Sequence, residues 1–315
     1  MRFAKPLITV LLSAAAIGAH AQEKFVSVLT GGTSGVYYPL GVALSQIYGE
    51  ALPATKISVQ STKASAENLN LLQAGRGEVA FSLGDAVADA WEGNEEAGFK
   101  NKLDKLRGLA AIYPNYVQIV ASADSGIRTL EDLKGKRVSV GAARSGTELN
   151  ARAILRGAGM AYGDLGKVEY LPFGESVELM KNRQLDATLQ SAGLGVASIR
   201  DLANAIEIVV IPVSAEVVTA IGNEAYQVGV IPANTYKGQT EDIPTATIRN
   251  LLVTHAGVSD EAVYAMTKSM MEHLDQLGTA HAAARGIDPQ GVAAGMPLPL
   301  HSGAERYYRE TGLLK

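Results

Sequence analysis

Phe25-Val-Ser-Val-Leu29 alternates apolar and polar positions among β-rich residues and predicts a strand. It runs into a polar stretch, Thr30-Gly-Gly-Thr-Ser-Gly35, after which apolar residues recur at helical spacing from Val36 to Glu50. The order then repeats. Ile57 to Gln60 reads as a strand, Ser61 to Ser65 as a polar loop, and Ala66 to Ala74 as a helix with Ser65 as its N-cap and Gly75 and Gly77 ending it. Glu78 to Ser82 is a third strand, and Gly84-Asp85 opens a helix toward Trp91.

The second half follows the same plan. Arg137 to Val140 predicts a strand, Gly141 to Thr147 a loop, and Glu148 to Arg156 a helix. Val168 to Leu171 is a strand, Glu175 to Asn182 a helix and Leu185 to Leu189 a strand, after which Gln190 to Gly195 opens one more helix. Strand, Gly-rich polar loop, helix, repeated in each half, is the signature of a doubly wound α/β sheet. Two such units facing one another suggest two Rossmann-like lobes with a cleft between them, and ligands of such sheets bind beyond the carboxyl ends of the strands. The chain is expected to cross into the second lobe near Val117 to Ala123, with Ile127 to Lys136 leading into it, and to return near Gly229 to Ala233. That assigns 22–120 and 234–315 to one lobe and 121–233 to the other. Ser259 to Leu277, helical in pattern, would pack back on the first lobe.

A length of 315 residues fits about two domains, and 47% hydrophobic with 19% charged residues is an ordinary globular composition. The start stands apart. Arg2 and Lys5 precede an apolar run, Pro6 to Ile17, too short to span a bilayer, and Ala19-His-Ala21 is an A-x-A cleavage signal. Residues 1–21 therefore read as a secretory signal peptide, with a periplasmic mature chain from Gln22; a buried N-terminal helix is the alternative. Its removal takes the formal charge from −4 to −6. Such an acidic chain without basic runs is a poor nucleic-acid binder. There is no cysteine, hence no disulfide, thiolate nucleophile or Cys metal site.

The loops carry the candidate chemistry. Helix N-termini present unpaired N–H groups and a positive dipole end, which favours anions. Gly32, Thr33, Ser34, Gly35 and Val36 fit this role, followed by Tyr37 and Tyr38, each a phenol donor with an apolar wall or else a core residue beside a helix cap. Arg144, Ser145, Gly146 and Thr147 form a nest-like loop in which Arg144 is placed to grip a carboxylate with two parallel bonds, unless Arg144 is solvated and Thr147 merely caps. Gln190 and Ser191, just past an expected strand end, are cleft donors or turn residues. Catalysis finds no support: G-x-S-x-G, G-x-x-x-x-G-K-[ST], G-x-G-x-x-G and H-E-x-x-H are all absent. Neither an enzyme nor a cofactor or metal is expected.

Taken in order, these pieces resemble the TAXI family of extracytoplasmic solute receptors that serve TRAP transporters. The resemblance rests on Gly31-Gly-Thr-Ser-Gly-Val-Tyr-Tyr-Pro-Leu-Gly41, Ser61-Thr62 through Ser65-Ala-Glu-Asn-Leu69, and Gly84-Asp85. It continues through Leu130 to Lys136, Ser145-Gly-Thr147 and Leu185-Asp-Ala187 to Pro299-Leu-His-Ser-Gly-Ala304 with Tyr307 to Glu310. It implies a class II periplasmic-binding-protein fold whose lobes close about a two-segment hinge, a TRAP membrane permease as partner, and a small organic anion as ligand. A carboxylate such as glutamate or 2-oxoglutarate is implied, captured by a monomer. By analogy the pocket takes in Gly32 to Tyr38, Thr62 with Ala64 and Ser65, Asp85, Arg144 to Thr147, and Gln190, Ser191 and Gly193. The chain departs from the family at Lys63-Ala64, where Gly-Gly is usual, at Gly193-Leu-Gly195, where Gly-x-Pro is frequent, and at Arg144, where a small residue is common. Lys63 and Arg144 together hint at a dianionic ligand. Rival readings are an ABC-type binding protein for a sulfonate-like or nitrogenous solute, a ligand-sensing regulator, and an enzyme such as a pyrrole-polymerising deaminase, whose cofactor needs a Cys this chain lacks.

Overall fold

The computed structural model describes residues 24–315, so the expected signal peptide lies outside the described residues. The first half runs β1 (Lys24–Leu29), α1 (Tyr37–Ala51), β2 (Thr55–Gln60), α2 (Ser65–Gln73), β3 (Val79–Leu83) and α3 (Gly84–Glu92). A long strand, β4 (Leu106–Ser122), leads into the second half: β5 (Arg137–Ser139), α4 (Gly146–Gly157), β6 (Lys167–Glu169), α5 (Phe173–Lys181), β7 (Ala187–Ala192) and α6 (Ala197–Ala205). Then come β8 (Ile208–Ile211), α7 (Ala215–Ala220), β9 (Gln227–Ile231), a second long strand β10 (Ile243–His255), and α8 (Asp260–Glu272), α9 (Leu274–Ala280) and α10 (Ser302–Glu310).

The strands form a continuous sheet in the order β2-β1-β3-β10-β4-β7-β5-β6, with β8 added to β4 and β9 to β10. Within each half the pairs are parallel: β1 with β2 and β3, β5 with β6 and β7. The expected βαβ plan is therefore met in both halves, and the mixed α/β, two-lobed binding-protein fold with it. Every residue of β3 is buried, as suits a strand covered on both faces. Alternation sorts neighbours to opposite faces: Leu29 packs with Leu69, Leu72 and Leu83, whereas Val28 packs with Leu40, Leu44 and Ile47.

The two halves are joined by β4 and β10, which lie antiparallel. Leu106 to Tyr116 of β4 pairs with Thr247 to His255 of β10, and Tyr116 to Ala121 of β4 pairs with β7. Register shifts interrupt the β4–β10 ladder between Arg249 and Leu251 and between Leu252 and Val253. The return to the first half thus comes later than the sequence suggested. Gly229 and its neighbours lie on β9, which folds back on β10 with Gly229 opposite Thr245, and β10 itself makes the crossing. From there α8 packs against α1 and α10, as expected of the C-terminal helices.

Two local expectations are corrected. Ser65 is not the N-cap of α2 but its first residue. Ala64 holds the cap position at φ 68° and ψ −156°, and the Ser65 hydroxyl reaches across to accept from the Leu83 amide at 3.2 Å. Gln190 and Ser191 do not follow a strand. Pairing with Gln118 and Val117 of β4 prolongs β7 through both of them to Ala192.

Candidate functional site

Four helix N-termini converge where the halves meet. Gly35 to Tyr37 opens α1, Ala64 and Ser65 open α2, Ser145 to Thr147 open α4, and Pro172 to Glu175 open α5. All of these line one cavity of about 360 Å³. The first amides of each helix have no acceptor within their own helix, so the polar ends of four helices face a common space.

The loops are held rigidly. Thr62 Oγ1 accepts from the Ala64 amide at 2.9 Å and lies 2.6 Å from Asn68 Oδ1, while Asn68 Nδ2 donates to the carbonyls of Thr30 and Phe81. Thr62 therefore fixes its own loop. Ser145 Oγ caps α4 by accepting from the Glu148 amide at 3.1 Å. Thr147 Oγ1 accepts from the Ser191 amide at 3.4 Å, and Ser191 Oγ donates to Asn150 Oδ1. Ala64 sits in a backbone region that glycine alone occupies freely, a strain of order 1–3 kcal/mol kept at the cavity wall. A glycine at 64 would carry no such strain.

The walls are largely apolar: Val36, Leu83, Pro172, Phe173 and the rings of Tyr37 and Tyr113. Tyr37 stacks on Phe81 with centroids 5.0 Å apart and donates to Asn250 Oδ1 at 2.6 Å. Burial, and then the nearby Asp85, push the Tyr37 phenol above its ordinary range. The charged lining residues are Lys63 and Glu175, both exposed at the rim and of opposite sign.

The halves touch around this space. A methyl group on Gly146 would lie 2.5 Å from Ser65 Oγ and 2.7 Å from Leu83 Cδ1, and one on Gly174 would lie 3.4 Å from Ser34 Oγ. The cleft is closed.

Of the residues singled out in the sequence, the structure brings together Gly32, Thr33, Ser34, Gly35, Val36, Tyr37, Thr62, Ala64, Ser65, Ser145, Gly146, Thr147 and Ser191. Five stand elsewhere. Tyr38, half-buried one position further along α1, points off the lining face. Asp85 is buried behind the wall, where its Oδ2 accepts from Tyr226 at 2.6 Å and Asn150 at 2.7 Å. Gln190 is buried on β7 and its Oε1 accepts from Ser198. Gly193 packs under Ala283 and the ring of Tyr113, which a Cβ would meet at 2.6 and 3.2 Å. Arg144 is exposed, outside the lining, at φ 66°.

With Arg144 outside the lining and Lys63 and Glu175 of opposite sign at its rim, the cavity offers no excess positive charge for a dianion. Arg144→Gly is accordingly expected to leave ligand affinity within about twofold while raising stability by about 1 kcal/mol, since glycine occupies that backbone region without strain. Titration calorimetry and thermal unfolding of the two proteins check both halves of that statement.

The lining also includes residues that the sequence pattern does not single out: Tyr113 and Asn115 on β4, and Phe173, Gly174 and Glu175 at the start of α5. The α5 residues follow a strand end in the same way as the loops that were found. Asn115 and Gln118 were legible as the two amides in the otherwise largely apolar run Leu109 to Ala121, where buried polar side chains have to find partners.

The chain has the fold of periplasmic solute-binding proteins. It is similar to an alkanesulfonate-binding protein from Xanthomonas axonopodis pv. citri bound to MOPS (14% identity, 92% of this chain and 84% of that one, TM-score 0.50). It is similar as well to the binding-protein component of an ABC phosphonate transporter from Pseudomonas aeruginosa (11% identity, 83% and 79%, TM-score 0.54). A structure described as a periplasmic transporter aligns over 93% of this chain and 94% of its own at 12% identity, with a TM-score of 0.59. Residues 28–312 match the model of the NMT1-like family, and the chain belongs to that family.

Proposed function

We propose that this protein is the extracytoplasmic solute-binding component of a membrane transporter and holds a small organic anion in the closed cleft. The observation that carries this reading is the convergence of four helix N-termini on one cavity whose lining has no net charge. Each helix end is worth up to about 2 kcal/mol when partly buried. Micromolar affinity needs about 8 kcal/mol, which four such ends and the hydroxyls of Ser65, Ser145 and Thr147 supply together. The apolar walls suit the organic part. The chain acts as a monomer exported by the signal peptide; of the lobes expected at 22–120 with 234–315 and at 121–233, the second extends past 233 to β10, and β4 and β10 form the hinge.

We favour an ABC-type transporter and a sulfonate- or phosphonate-like headgroup. Amide ends arranged around a space serve a tetrahedral oxyanion without any guanidinium, and two of the similar proteins named above are described by alkanesulfonate and by phosphonate. A carboxylate delivered to a TRAP permease is the second reading, supported by the Gly31 to Gly41 and Pro299 to Glu310 sequences.

Thermal unfolding of the mature chain from Gln22 with a panel of sulfonates, phosphonates and carboxylates tests the proposal. A ligand at about one hundred times its Kd adds about 2.7 kcal/mol. Stabilisation by sulfonates or phosphonates alone supports the first reading, and stabilisation by carboxylates alone the second. A folded protein that no anion stabilises overturns both.

A further inference from the structure

We propose that the ligand carries, besides its anionic head, an uncharged hydrogen-bond acceptor that is read by Asn115 Nδ2 and the Tyr113 hydroxyl. The inference rests on the anion-binding reading of the cavity and deepens it.

Tyr113 and Asn115 lie two residues apart on β4 and both line the cavity. Tyr113 is fully buried and Asn115 is 1% exposed. Neither the Tyr113 hydroxyl nor Asn115 Nδ2 has a hydrogen-bond partner among the described residues. Buried donors without partners are rare because each forfeits its hydration, and here two stand together in the wall of a site.

The polarity of Asn115 is fixed by its neighbours. Asn250, itself fully buried, donates through Nδ2 to the Tyr113 carbonyl at 2.9 Å, and a carbonyl can only accept. That sets the Asn250 amide: its Oδ1 takes the Tyr37 hydroxyl at 2.6 Å, and its Nδ2 faces Asn115 Oδ1 at 3.5 Å. The oxygen of Asn115 is thereby turned toward Asn250, which leaves the NH₂ group as the edge without a partner. The site thus presents a fixed donor and a hydroxyl, and it presents them without charge. A second carboxylate would meet no cation there, whereas a carbonyl, ether or hydroxyl oxygen would satisfy both groups. A site built to bond such an oxygen discriminates strongly against an analogue that lacks it.

The test uses matched pairs of probes that differ in that oxygen: pentanoate with 4-oxopentanoate, and 1-propanesulfonate with 3-hydroxy-1-propanesulfonate. Calorimetry on the wild-type mature chain is expected to show the oxygenated member of at least one pair binding about tenfold more tightly or better. In Tyr113→Phe and Asn115→Ala that preference, read as the ratio of the two affinities within each pair, should shrink toward unity. Tyr113→Phe removes only a hydroxyl that no protein group holds, so it reports even if Asn115→Ala fails to fold. Wild-type protein that binds both members of each pair equally overturns the inference and leaves the anion reading standing. Variants that lose both members in parallel also overturn it. If neither pair binds and no anion stabilises the protein, the anion reading falls and takes this one with it.

Discussion

Gly146→Ala is expected to weaken ligand binding by about thirtyfold while leaving the unfolding temperature of the ligand-free protein almost unchanged. The added methyl would lie 2.5 Å from Ser65 Oγ, 2.7 Å from Leu83 Cδ1 and 2.9 Å from Ser65 Cβ, all on the opposite half of the molecule. Those neighbours have little room: Ser65 Oγ is tied to the Leu83 amide and both residues are buried. Overpacking of this kind costs typically 1–3 kcal/mol. About 2 kcal/mol is thirtyfold in Kd. The cost falls on the closed state alone. Gly146 has an ordinary negative φ and opens a helix, where alanine is welcome, so the separated halves lose nothing. Calorimetry with whichever anion stabilises the wild type measures the affinity, and small-angle scattering with and without it measures closure. Unchanged affinity in Gly146→Ala would show that the halves need not meet at this point for binding.

Asp85→Asn should flatten the dependence of stability on pH and stabilise the protein at pH 7.5 by on the order of 1–3 kcal/mol. Burial pushes the Asp85 carboxyl from 3.8 up to about 6, against the opposing pull of the Tyr226 hydrogen bond and of the amides at the start of α3. A carboxyl whose folded value lies above its unfolded one binds more protons when folded. Stability is therefore full below about pH 4, falls as pH rises through about 6, and is level beyond. In the asparagine variant, Oδ1 in the place of Oδ2 still accepts from Tyr226 and Asn150, and no charge has to be buried. Asp89, also raised, chiefly by burial, adds a slope of the same sign, so the quantity to read is the difference between variant and wild type. Urea unfolding at pH 5 and pH 7.5 supplies it. A wild-type slope that persists in Asp85→Asn would place the titrating group elsewhere.

These two positions show what the sequence could and could not disclose. Gly146 was legible because the strand–loop–helix grammar is local: a β-rich run, a small polar loop and a periodic stretch identify a helix start wherever they occur. Four such starts converge on the cavity, and three were named from the pattern. Asp85 was placed in the pocket for the same reason and lies behind it, because a position on the first turn of a helix does not say which way the side chain points. That direction is settled by partners far along the chain, Asn150 and Tyr226. Arg144 failed likewise: its chemistry suited an anion, but its backbone at φ 66° turns the loop so that the side chain remains exposed. Asn115 stands out in its apolar run, but its placement beside Tyr113 and Asn250 was out of reach, because that arrangement depends on the pairing of β4 with β10, residues more than a hundred positions apart.

The same pairing sets an order on how the chain can assemble. Inside the finished sheet β3 is flanked by β1 and β10, yet β10 is made last of the strands, after the whole of the second half. Until Ile243–His255 is available, the apolar strand Val79–Leu83 has one edge with no partner, and β4 lacks the neighbour that covers Leu106 to Tyr116. Open edges of this sort recruit other chains. The second half closes its own parallel unit from β5, β6 and β7 without waiting. A newly made molecule thus carries a finished lobe and a half-built one at the same time, and its exposure to aggregation ends when β10 slides between β3 and β4.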